Sequence, residues 1–151
     1  MAETKLDPKQ IIAAGQAGQF MYYDGTQWSS INPYVPHIIR VGISQGKPAA
    51  NIEFARYTAV TPVLVDPFSG SIMKGSCRVN PTAQATFLIK KNGGDYGSCI
   101  FNTNGTITDS FSGSNWNLNA GDTLTFHTPT TQDATLMDIA FSIKGMVELI
   151  L

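Results

Sequence analysis

Residues 137–149 read Met-Asp-Ile-Ala-Phe-Ser-Ile-Lys-Gly-Met-Val-Glu-Leu, and this alternation constrains the fold more than any other stretch of the chain. Met137, Ile139, Phe141, Ile143, Val147 and Leu149 fall on one side; Asp138, Ser142, Lys144 and Glu148 fall on the other. Successive side chains of a strand point to opposite faces, so the segment predicts a long strand with one buried and one wetter face. On a helix the same residues would be scattered around the axis. A strand covered on one side only belongs to an antiparallel sheet that packs one face on a core.

The chain from Tyr34 onward repeats this character in shorter pieces. Strands are predicted near 36–44, 51–60, 62–66, 71–79, 84–91, 97–102, 105–112, 115–118, 122–128 and 134–149. Turn chemistry separates them: Gln45-Gly46-Lys47-Pro48, Asp66-Pro67-Phe68-Ser69-Gly70, Asn92-Gly93-Gly94, Asn104-Gly105, Asn119-Ala120-Gly121-Asp122 and Thr128-Pro129. Many short strands divided by such turns predict an all-β protein, an antiparallel β-sandwich or jelly roll. Phe87 with Ile89, and Leu124 with Phe126, share strand faces and join the last strand as the expected core.

The first third differs. Asp7-Pro8 reads as an N-cap and first helical position with Gly15 as a stop, predicting a short helix over 8–14. Asp24-Gly25, inside Gly18-Gln-Phe-Met-Tyr-Tyr-Asp-Gly-Thr-Gln-Trp28, predicts a two-residue hairpin turn that sets Tyr23 opposite Thr26 and Met21 opposite Trp28. An isolated hairpin is marginal in water, so its aromatic residues need something to pack on. Pro33 and Pro36 mark a break. The expected organisation is an extended or hairpin-containing segment over 1–33 followed by a β-sandwich head over 34–151.

Composition narrows the function classes. Charged residues make up only 14% of the 151, against about a quarter in ordinary globular chains, so Thr, Ser, Asn, Gln and Gly must cover the surface. Such a surface suits a protein that hides part of itself in an assembly. The net charge is −1, and Arg40, Arg56 and Arg78 are scattered along the chain, which disfavours nucleic acid as a partner. No apolar run reaches membrane-spanning length, and the N-terminus carries no apolar signal core. Synthesis in a cytosol is expected; Cys77 and Cys99 could pair if the strands that carry them are neighbours, but two free, partly buried thiols suit a cytosolic product better.

Three spellings point towards chemistry. Gly42-Ile-Ser44-Gln-Gly46 matches a nucleophile elbow, and Asp66 and His127 lie downstream in triad order. That motif needs a helix after the turn, and Pro48 with a β-rich remainder makes it a chance match; no enzymatic activity and no catalytic residue are expected. Asp122, Asp133 and Asp138 lack the spacing of an EF-hand loop, and Asp122 at a turn more simply accepts backbone hydrogen bonds. No metal and no cofactor are expected. Tyr96, Phe111 and Trp116 lie in or near predicted loops and are candidate contacts for a glycan, since sugar rings stack on aromatic faces. Trp116 beside Leu118 equally fits a core position.

Residues 84–145 carry a further pattern: Ala85-Thr-Phe-Leu-Ile-Lys-Lys-Asn-Gly93, Gly97-Ser98, Trp116-Asn-Leu-Asn-Ala-Gly-Asp-Thr-Leu124, Pro129, Asp133-Ala134 and Asp138-Ile-Ala-Phe-Ser-Ile143. In order and spacing this resembles a jelly-roll head domain of tailed-bacteriophage virion proteins, similar in outline to the tumour-necrosis-factor and C1q heads. Gly18–Trp28 resembles a short segment common in phage fibre proteins. The resemblance implies a homotrimer whose inner sheets pack about a threefold axis. It also implies a location on the virion after assembly in the host cytoplasm, and contact with other virion proteins of capsid, portal or tail. The corresponding expectation is a capsid decoration or head-fibre protein anchored chiefly through Phe20, Tyr22 and Trp28; the alternative is a tail fibre or tail-tip adhesin that holds host surface glycan.

Overall fold

The computed structural model describes residues 20–23, 26–31, 34–43, 46–65, 73–111 and 117–148. The chain divides into two compact units: Met1–Val35 with Glu148–Leu151, and Pro36–Val147. The helix expected over 8–14 lies outside the described residues, as do Ser44, Asp66 and Trp116.

In the smaller unit, β1 (Phe20–Tyr23) and β2 (Trp28–Ile31) form an antiparallel two-stranded sheet. Its register pairs Tyr23 with Trp28 and Met21 with Ser30. The hairpin is therefore present but its connection is the four residues 24–27, not the two-residue turn read from Asp24-Gly25. Four-residue loops also accept Asp-Gly, and the change moves each partner by two positions. A shift by two preserves which face each residue occupies, whereas a shift by one would reverse it.

The larger unit is built wholly from strands among the described residues. One sheet has the order β4 (Glu53–Thr58), β10 (Thr123–His127), β7 (Ala85–Lys91), β8 (Gly94–Phe101), β9 (Ile107–Phe111). The other centres on β11 (Met137–Glu148), with β3 (Tyr34–Ile43) as one neighbour. β6 (Met73–Val79) and β5 (Val63–Leu64) pair with β11 in succession, β6 along Met137–Ile143 and β5 at Met146–Val147. Both sheets are antiparallel and pack face to face, which makes the unit a β-sandwich. The strand expected at 115–118 reduces, in its described part, to Leu118 bridging Val63.

The alternation in β11 sets the core. Ile139, Phe141 and Ile143 are buried, while Ala140 and Lys144 are exposed. Gly145 continues the inward row, because a Cβ there would stand 2.6 Å from Val63 Cγ1. Phe141 reaches across to Phe126, Phe87 and Phe101 of the opposite sheet, with ring centroids 5.8, 6.4 and 6.4 Å away. Asn92 and Gly93 both take positive φ, 51° and 85°, so β7 and β8 are joined by a two-residue turn of the mirror-image type that suits strand twist.

Two bulges adjust the sheet facing this core. The β10–β4 register passes from Phe126↔Ala55 to His127↔Glu53 and leaves Phe54 as the extra residue. Phe54 thereby turns inward, 5.9 Å from the Phe87 ring, and Glu53 turns outward beside His127. The β7–β8 register passes from Ile89↔Gly97 to Lys90↔Asp95 and leaves Tyr96 extra. Tyr96 turns inward as well and is only 4% exposed.

Candidate functional site

The second bulge corrects an expectation. Tyr96 is not an exposed loop aromatic; it is a buried strand residue, its ring edge-on to half-buried Phe111 at 5.4 Å. Burial, with the nearby Asp122 charge, raises its phenol well above the ordinary range. A buried ring has no free face for a sugar. The remaining member of that trio, Trp116, lies outside the described residues. Phe20 and Tyr22 sit in β1 and Trp28 opens β2 opposite Tyr23; only their backbone positions are described.

The nucleophile-elbow spelling falls at the end of β3, and the chain continues through turns into β4 with no helix among the described residues. Gly46 is instead tied to the start of β11: its N–H donates to Asp138 Oδ1 at 2.7 Å, and the Asp138 N–H donates to its carbonyl at 3.1 Å. Asp138 holds a positive φ of 49° and its Oδ2 also meets Arg78 Nε at 2.6 Å.

The other two aspartates are equally committed. Asp122 accepts from Asn92 Nδ2 at 2.7 Å and from the Asn119 N–H at 2.7 Å, and pairs with Lys91 Nζ at 2.9 Å. The Asn92, Asn119 and Lys91 bonds together lower its carboxyl to about 2. Asp133 accepts from six groups around two loops. No group of three or more metal-ligating side chains occurs among the described residues.

Both thiols are free, Cys99 in the core and Cys77 half-buried in the other sheet. Burial first, and Asp109 second, push the Cys99 thiol up to about 12, so it is not a reactive thiolate at neutral pH.

What the fold does assemble is a polar cleft on the outward face of the β4-β10-β7 sheet. The cleft is open, about 430 Å³, and lined by Glu53 and Arg56 of β4, Thr123, Thr125 and His127 of β10, Lys90 of β7, and Asn92 and Gly93 of the turn. Arg56 is held by Glu53 through Nε to Oε1 at 2.9 Å and Nη2 to Oε2 at 3.2 Å. The same bonds lower the Glu53 carboxyl and raise the Arg56 guanidinium. His127 Nε2 meets Thr125 Oγ1 at 2.9 Å. Lys90 makes no ion pair among the described residues. A second open cleft of about 390 Å³ lies on the same sheet, lined by Gln84, Thr86, Leu88, Thr128, Pro129, Thr130 and Thr131. His127 of the first and Leu88 of the second are cross-strand partners, so the two clefts meet at that pair.

The outward face of the other sheet is different. Gly42, Ser76, Ala140 and Ser142 give it a low centre, beside which Ile38 is 49% exposed. Arg40, Lys74 and Lys144 occupy outward positions on the same three strands.

No protein-family model, curated protein or solved structure matches the chain.

Proposed function

We propose that the chain is a non-enzymatic structural protein of a tailed-bacteriophage particle, a trimeric capsid decoration or head fibre attached through residues 1–33. The head is the β-sandwich, and the attachment elements are the β1–β2 hairpin and its residues Phe20, Tyr22 and Trp28. The observation that carries the reading is the low, small-residue centre of the β3-β11-β6 face, with exposed Ile38 beside it. Small side chains let another copy approach closely, and an exposed isoleucine gains by being covered. The poor charge content of the whole chain supports the same conclusion.

The cations on that face add a condition. Three copies that share it bring Arg40, Lys74 and Lys144 of each subunit closer together, and their repulsion is screened by salt. Light scattering of the full chain at micromolar concentration is expected to give three subunit masses, with the trimer strengthened between low and physiological ionic strength. A monomer under both conditions overturns the assembly. Removal of residues 1–33 is expected to abolish binding to particles while circular dichroism still reports a folded β-protein. Retained particle binding overturns the anchoring role.

A further inference from the structure

The first cleft presents mostly donors. Glu53 engages two of the five N–H groups of Arg56, which leaves three for a ligand and fixes the plane of the guanidinium. Lys90 adds an ammonium without an ion-pair partner among the described residues. The lining carries two cations, Arg56 and Lys90, against the single carboxylate of Glu53, and Asp95, the register partner of Lys90 on β8, is not part of it. Thr123, Thr125 and His127 add short polar groups that can donate to or accept from hydroxyls. The size of each cleft falls in the range of about 300–1,000 Å³ typical of small-molecule sites.

Apolar surface stands next to these groups. Leu88 is 40% exposed where the two clefts meet, and the second cleft continues past it along threonines and Pro129. A ligand that matches the row has an acidic group at one end, then a body with hydroxyls around its rim and C–H groups on its faces. A nucleotide would meet no exposed aromatic platform here, because no Phe, Tyr or Trp lines either cleft.

We propose that the outward face of β4, β10 and β7 binds an oligosaccharide that carries an acidic group, with the acid at Arg56 and Lys90 and the next ring over Leu88 and His127. Glu53 is a positioning residue, since it holds Arg56 and meets the ligand only through it. This binding is separate from attachment through residues 1–33 and stands or falls independently of it.

The test uses the intact chain on an array of oligosaccharides bearing carboxylate, sulfate or phosphate, each printed beside its neutral counterpart, followed by NMR titration with the best binder. Acidic members are expected to bind better than neutral ones, with the comparison among the three acids identifying the group preferred. Titration should shift the amides of Leu88, Thr125 and His127. Lys90→Gln and Arg56→Gln should each weaken binding about tenfold, equivalent to about 1.4 kcal/mol, with unchanged circular dichroism, since the Arg56 side chain is 62% exposed. Equal binding of neutral and acidic members, binding of none, or shifts confined to another face would overturn the proposal. Should either variant misfold, the wild-type shift map decides alone.

Discussion

Replacing Phe141 with alanine is expected to destabilise the head by about 3–5 kcal/mol, the usual cost of emptying a phenylalanine site in a packed core. The residue is 2% exposed and stands at the centre of β11, where its ring meets Phe87, Phe101 and Phe126 from three strands of the facing sheet. Those partners are themselves packed on one another, Phe87 and Phe101 with centroids 5.5 Å apart in an edge-on arrangement, so they cannot collapse into the space without losing their own geometry. The loss therefore combines the transfer free energy of the ring with a residual cavity. In thermal unfolding the effect corresponds to a midpoint lowered by about 10 °C for a chain of this size. Val60→Ala, at a position 88% exposed, is the control and should change stability by less than about 0.5 kcal/mol. A loss below about 1 kcal/mol in Phe141→Ala would mean that the two sheets do not share this aromatic core.

The β-sandwich is legible in the sequence because its evidence is periodic. Alternation in 137–149 places Ile139, Phe141 and Ile143 in the core, and Phe87, Ile89, Leu124 and Phe126 join them as their own alternation predicts. Asn92-Gly93 marks a real two-residue hairpin for a local reason: both residues adopt positive φ. The departures share a physical cause too. A bulge inserts one residue and inverts the faces beyond it, and nothing local announces it. Tyr96 therefore reads as an exposed aromatic by its position near Gly93-Gly94 and Gly97, yet it is buried by the bulge opposite Ile89. Phe54 is turned inward in the same way. The hairpin register around Asp24-Gly25 differs because a dipeptide does not fix loop length.

The cleft escapes sequence reading for a different reason. Its walls come from strands 65 residues apart, as in the Thr58–Thr123 hydroxyl pair at 3.4 Å, and only the sheet order makes them neighbours. The available signal was the outward row Thr123, Thr125, His127, three polar residues in strict alternation with Leu124 and Phe126. That row announces a polar face, but pairing with Arg56 and Lys90 is a tertiary fact.

Asp133→Asn is expected to cost about 2–3 kcal/mol at neutral pH, although the residue is only half-buried. Its Oδ2 accepts from the Thr82 N–H at 3.0 Å, the Thr82 hydroxyl at 2.8 Å and the Ala83 N–H at 3.3 Å. Its Oδ1 accepts from the Thr135 N–H at 2.8 Å, the Thr135 hydroxyl at 3.1 Å and the Leu136 N–H at 2.9 Å. One carboxylate thus ties the turn that enters β7 to the loop that enters β11. An amide keeps one acceptor oxygen and turns a second pair of donors towards groups that also donate, so half of the set is lost and replaced by repulsion. Partial burial opposes ionisation, but the Thr135 and Leu136 N–H groups, the Thr82 hydroxyl and the Ala83 N–H outweigh it and hold the carboxyl far below its usual range. The sign of the pH dependence follows. A carboxyl depressed in the folded state contributes stability that is complete above its unfolded value of about 3.9 and disappears as pH falls through the folded value. Asp122, lowered to about 2, acts in the same direction. Urea unfolding of wild type and Asp133→Asn at pH 7 should show the full gap, and the gap should narrow progressively below about pH 4 as the wild-type carboxylate takes up its proton. A gap that stays constant down to pH 2 would mean that charge plays no part and that the amide merely fits less well between the two loops.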